Sequence, residues 1–169
     1  MNGKFNLLLA GTLAFAGTLS AQNPLIGEAK QAWNGIKNNL IKMADKMPDD
    51  AYSYKASPDI RTFGELVGHV ADSEMRTCST LNGEMKNLGA GKMTAKADLV
   101  AAIKEASAAC DKAFEGITDA NAFEMVKAGR GQSSRIGALV RNTTHSNEEY
   151  GYMAVYLRLK GVVPPSSEK

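Results

Sequence analysis

The chain has 169 residues, 44% of them apolar, with 20 basic against 18 acidic side chains. That size and apolar share suit one domain with its own core. No basic stripe interleaved with aromatics and no block of like charge is present, which argues against nucleic acid as a partner.

Residues 1–21 read MNGKFNLLLAGTLAFAGTLSA. Lys4 precedes an apolar run from Phe5 to Ala16, and small residues follow to Ser20 and Ala21. This is the layout of a secretory signal peptide cut near Ala21 and Gln22. Leu19 at the −3 position is less usual than alanine, and an uncleaved anchor is the rival reading. The run falls short of the roughly 20 strongly apolar residues of a membrane span and contains Gly and Thr. We therefore expect an exported protein, periplasmic or extracellular. Its mature domain would be residues 22–169, with no membrane attachment after cleavage.

Four amphipathic helices follow. The first is expected over 24–46, where Ile26, Ala29, Trp33, Ile36, Leu40, Met43 and Met47 recur at three- and four-residue steps. Pro24 suits a first turn, and Pro48 disfavours helical backbone at Met47. Residues 49–61 have no clean period and read as a long loop. Thr62 and Glu65 form a capping box opening a second helix to about Leu81. Its inward side carries Phe63, Leu66, Val67, Val70, Thr77, Cys78 and Leu81. A glycine-rich connection, 82–92, leads to a third helix over 96–115, with Leu99, Ile103, Ala106, Cys110, Ala113 and Phe114 inward. Residues 116–132 read as irregular. Ser133 or Ser134 can cap a fourth helix to about Lys160, with Ile136, Leu139, Thr143, Tyr150, Met153, Ala154 and Leu157 inward. Gly161 suits the C′ position, with Pro164 and Pro165 as a stop beyond it. Four helices with one apolar stripe each bury those stripes against one another. The fold class is all-α, a four-helix bundle. The connections are long for simple antiparallel neighbours, so at least one can cross the bundle.

Cys78 and Cys110 both lie on apolar stripes. They read equally as a disulfide of an exported protein or as two buried small hydrophobes.

The two histidines, His69 in GELVGHVADSE and His145 in THSNEEYGYMAVYLRLKGVVPPSS, border the apolar stripes of the second and fourth helices. Glu149 lies one turn beyond His145 on the same face. Two imidazoles and a carboxylate on two helices are ligand types of zinc hydrolases and of facial-triad iron sites. Spacing alone also fits an ordinary solvated helix face. Tyr150, Tyr152 and Tyr156 can line a pocket beside these residues or simply pack.

Those two stretches resemble the DinB/YfiT-like superfamily, specifically its exported branch, and the similarity runs from the Trp33 helix to the Pro-Pro tail. The resemblance implies a bundle in up-down-down-up order with a long crossover, and often a homodimer. It also implies a divalent metal on three histidines, one from the second helix and two from an H-x-x-x-H in the fourth. Carried over, these fall on His69, His145 and Glu149. The last is a departure, because the family pattern reads Asn-Glu-His-Tyr-Gly where this chain has Asn147-Glu148-Glu149-Tyr150-Gly151. A carboxylate keeps a ligand at that position and favours zinc, iron or manganese over nickel. The rival reading is a decayed site. Asp72 and Glu148 are the nearest candidates for orienting a ligand or acting as general base, and exposed helix carboxylates are the plainer account of both. Some relatives are thiol-dependent transferases and some are thought to be metal hydrolases. The expectation is a metal-dependent enzyme on a small-molecule substrate. The alternative is a non-catalytic bundle, binding or structural, whose site has been lost.

Overall fold

A computed structural model describes residues 23–129 and 131–169. The expected signal peptide lies outside the described residues. Four helices dominate: α1 Pro24–Lys46, α2 Phe63–Leu81, α3 Lys96–Glu115 and α4 Arg135–Leu159. Their ends follow local chemistry. The Asn23 side chain accepts the Leu25 N–H and Pro24 occupies the first turn, while Met47 is extended ahead of Pro48. Thr62 and Glu65 close both halves of a capping box. Ser134, rather than Ser133, caps α4 through the Gly137 N–H. At the far end of α4, Gly161 has φ +72°, and the Val162 N–H returns to the Leu157 carbonyl at 2.9 Å. This is a Schellman closure. No helix among the described residues is long and apolar enough to cross a membrane.

The direction of each helix follows from what its ends touch. Cys78 and Cys110, near the C-terminal ends of α2 and α3, are joined by a disulfide. Gly64 and Leu99, near the N-terminal ends of the same helices, are in contact. α2 and α3 are therefore parallel, and residues 82–95 return along the length of the bundle. Lys96 at the start of α3 reaches the Met47 carbonyl at the end of α1, while Trp33 donates to Asp111 at 2.7 Å. That makes α1 and α3 antiparallel. Arg135 at the start of α4 donates to the Leu81 carbonyl at the end of α2, and Tyr156 near the end of α4 packs on Phe63. α2 and α4 are antiparallel too, and the order is up-down-down-up.

The disulfide resolves the two readings of the cysteine pair. Two expectations need correction. Residues 116–132 are not wholly irregular: β1 Met125–Ala128 pairs antiparallel with β2 Gly131–Ser134, Met125 opposite Ser134. Each strand has only four residues, too few to display period-two alternation in sequence. Thr77 and Tyr150, expected inward, are half-buried. The other residues expected inward are buried, with Trp33, Leu40, Met43, Phe63, Leu99, Ile103, Leu139, Met153 and Leu157 sealed from solvent, and Tyr52, Met75, Ile117 and Tyr156 join the core from outside the predicted stripes.

Candidate metal centre

His69 lies two turns into α2 and His145 near the middle of α4, so the antiparallel packing of those helices brings the two rings together edge to face. Their centroids are 5.1 Å apart. The Nε2 atoms stand 3.2 Å from each other. Glu149 Oε1 is 3.4 Å from His69 Nε2 and 3.6 Å from His145 Nε2. The histidine side chains are 31% and 29% exposed and that of Glu149 is 7% exposed. The three side chains form a shallow triangle, closed behind by the core and open in front.

Three electron-pair donors converging in this way repel one another unless a cation lies among them. A tetrahedral ion at about 2.0–2.1 Å from each donor spaces those donors about 3.3–3.4 Å apart. A right-angled facial set at similar bond lengths needs about 2.9 Å. The observed triangle fits the tetrahedral case. Glu149 Oε2, on the same carboxylate as the converging Oε1, is also buried without a partner among the described residues. Buried polar atoms in that state are rare, and a second carboxylate oxygen free beside the triangle suits an ion ligand. The donor set and its spacing fit a divalent ion, and together the three residues can hold one.

Electrostatics favour the neutral imidazole that a metal requires. Burial pushes the His69 pKa down, and the Arg61 guanidinium nearby adds to the effect, while Glu149 opposes it. The ring is ready to ligate near neutral pH.

Two cavities flank the triangle. One, of about 580 Å³, reaches Glu149 and has a largely apolar wall that includes Leu66, Tyr152, Val155 and Tyr156. The other, of about 480 Å³, reaches His69 and carries Lys55, Arg61 and Arg76. Asp59, Ile60 and Arg61 border both. This strip is held in place by Tyr156, whose hydroxyl donates to the Arg61 carbonyl at 2.5 Å.

The two candidate auxiliary carboxylates are placed elsewhere. Asp72 accepts the Ala90 and Gly91 N–H groups at 2.9 Å each. It ties the 90–92 turn to α2 and makes no hydrogen bond to His69. Glu148 is exposed and accepts from the Tyr152 hydroxyl at 3.1 Å. Of the three tyrosines, Tyr152 and Tyr156 line the apolar cavity. Tyr150 instead pins the tail, donating to Ser166 Oγ at 2.7 Å and accepting from the Ser166 N–H at 2.9 Å.

One residue behind the triangle escaped the sequence reading. Glu74 is fully buried, with Ser146 and Ser107 donating to its two oxygens at 2.8 and 3.3 Å. Its position four residues from both Val70 and Cys78 on the inward stripe of α2 was the available signal. Burial raises its pKa to about 7 against the relief given by the two hydroxyls.

Residues 33–153, which include all three ligand candidates, match the sequence model of the DinB superfamily. The fold is similar to the crystal structure of a DinB-like protein from Bacillus cereus, with a TM-score of 0.67 and 19% identity. That similarity covers 83% of this chain and 95% of the other. At such identity it is the fold that is shared. No curated protein matches this chain in sequence.

Proposed function

The chain belongs to the DinB superfamily, and on that premise we propose that it is a metal-dependent enzyme, hydrolase- or transferase-like, acting on a small molecule outside the cytoplasm. The observation that carries this reading is the triangle of His69 Nε2, His145 Nε2 and Glu149 Oε1 at 3.2–3.6 Å. These residues would hold one divalent ion. Zinc is favoured by the tetrahedral spacing, with iron or manganese next and nickel disfavoured by the oxygen donor. When bound, such an ion supplies Lewis acidity that polarises an electrophile and acidifies water.

The chain's own groups do the rest. Glu149 would offset part of the ion's charge. Arg61 and Arg76, beside His69, attract and orient an anionic group. The apolar wall of Leu66, Val155 and Tyr156 excludes water from one side. Action outside the cytoplasm is supported by the residue 1–21 pattern and by the Cys78–Cys110 bond, since disulfides persist in oxidising compartments. A homodimer completes the proposal. Leu159 and Val163, exposed at and just beyond the end of α4, are apolar side chains that such a contact would cover.

Elemental analysis of the purified protein, native and reconstituted, tests the metal directly. About one ion per chain is expected, lost in His145→Ala. A second reading rests on the same distances. One proton shared between two Nε2 atoms 3.2 Å apart also satisfies the pair, with Glu149 accepting from the charged ring. Protein that stays metal-free in excess zinc, iron, manganese and nickel would establish that reading: a non-catalytic bundle with a retired site.

A further inference from the structure

We propose that the molecule taken at this centre is a small anionic amphiphile, an oxyanion such as a carboxylate or phosphate carried on a short acyl or aryl body. This names the substrate class of the metal centre and rests on the reading above. The two flanking cavities are made differently.

The cavity on the Glu149 side presents apolar side chains. Val155 and Tyr152 are each 52% exposed and Ile60 is 43% exposed, while Leu66 and Tyr156 form the floor. Exposed apolar groups gathered in a concavity are characteristic of small-molecule sites, with a few polar groups fixing orientation. The cavity on the His69 side supplies those polar groups. It has three cations, Lys55, Arg61 and Arg76, and three carboxylates, Asp59, Glu65 and Asp72. Two of the carboxylates are engaged with backbone donors. Glu65 accepts the Thr62 N–H in the capping box, and Asp72 accepts the Ala90 and Gly91 N–H groups. The guanidinium groups have no such occupation. Neither Arg61 nor Arg76 takes part in an ion pair among the described residues. Arginine forks match carboxylate and phosphate oxygens with paired N–H donors.

Arg61 borders both cavities. A molecule lying across the triangle would meet Arg61 and Arg76 with its charged end and the Tyr152–Val155 wall with its apolar end. Its central bond would then lie over the three ligand atoms. A neutral hydrophobe would leave the arginines unused, and a fully polar anion would leave the wall wet.

Calorimetric titration with 4-phenylbutyrate, phenyl phosphate and the neutral 4-phenylbutanol tests this on metal-free and zinc-loaded protein. Zinc is measured in the same samples. The expected result is at least tenfold tighter binding of either anion than of the alcohol. Arg61→Ala should bring anion and alcohol to within about threefold of each other while leaving zinc content unchanged. Tyr152→Ala should weaken all three ligands. Equal affinity for anion and alcohol, or an Arg61→Ala protein that keeps its anion preference, overturns the proposal. Anion preference in wild-type protein that binds none of zinc, iron, manganese and nickel would sink the metal reading and leave this one standing. Full zinc occupancy with no anion preference would do the reverse.

Discussion

Glu149 stands where the resemblance read from the sequence implies an imidazole, and the consequence is chemical rather than steric. Its Oε1 lies within 3.6 Å of both imidazole Nε2 atoms, so the triangle closes with an oxygen in place of a nitrogen. Oxygen is the harder donor, and its charge suits ions that tolerate mixed N/O sets. We expect Glu149→His to raise nickel affinity relative to zinc at least tenfold, read by competition between the two ions and elemental analysis. Glu149→Ala should lose the ion altogether. Behind it, Glu74 makes a second residue-scale prediction. Its carboxyl has a pKa of about 7 in the folded protein against an ordinary 4.5. Below pH 4.5 it is neutral whether the chain is folded or not, and costs nothing. Between 4.5 and about 7 the unfolded chain ionises first, so stability falls as pH rises; above 7 the loss is constant. That gap is worth on the order of 3 kcal/mol. Glu74→Gln removes the titration and keeps the shape. Its melting temperature should gain on wild type as pH goes from 4 to 8, and a pH-independent difference would refute the assignment.

At the scale of elements, the approach of the 90–92 turn to α2 depends on Gly68. A Cβ built there would stand 2.5 Å from the Ala90 carbonyl oxygen and 2.8 Å from its carbon. Those are backbone atoms of a turn already held by Asp72, and they cannot yield without loosening the wall beside His69. Gly68→Ala should cost about 1–3 kcal/mol by overpacking. Gly35→Ala, in α1 with nothing within 4 Å of its Cβ, should instead stabilise by about 0.5–1 kcal/mol through helix propensity. Urea unfolding of the two variants checks the opposite signs. The contrast also shows what was legible in the sequence. Both glycines sit in helical patterns, and periodicity cannot tell a packed one from an open one. The helices themselves were legible because caps and breakers are local: Pro24, Thr62 with Glu65, Ser134, Gly161. The convergence of His69, His145 and Glu149 was legible through the family resemblance, since their spacing alone fits a solvated helix face equally well. Arg61, Arg76 and the β1–β2 hairpin were not, because their significance lies in contacts between segments distant in the chain. Asp72 was legible as a carboxylate one turn from His69, but its actual partners are 18 and 19 residues away.

For the whole molecule, the parallel α2–α3 pair sets the stability question. Parallel neighbours cannot be joined by a tight turn, so residues 82–95 travel the length of the bundle. The Cys78–Cys110 bond spans that return, with a sequence separation of 32. Closing a loop of that size restricts the unfolded chain by roughly 3–4 kcal/mol on the chain-entropy account. Alanine at both positions leaves two small apolar groups against the core and removes the covalent link, some volume and the weak sulfur acceptor of the Asn142 amide. The Cys78→Ala/Cys110→Ala double variant should therefore lose roughly 2–4 kcal/mol in urea unfolding. Wild type under reductant should lose a similar amount. Zinc content of the folded double variant should stay unchanged. His69 lies more than two turns from Cys78, toward the end of α2 where Gly64 meets Leu99 and Phe63 packs on Tyr156. The α2–α4 contacts at that end do not involve the sulfur bridge, whose one hydrogen-bond link to α4 among the described residues is the Asn142 amide donating to Cys110 Sγ at 3.7 Å. Loss of zinc along with the disulfide would show that α3, although it contributes no ligand, sets the spacing of the two helices that do.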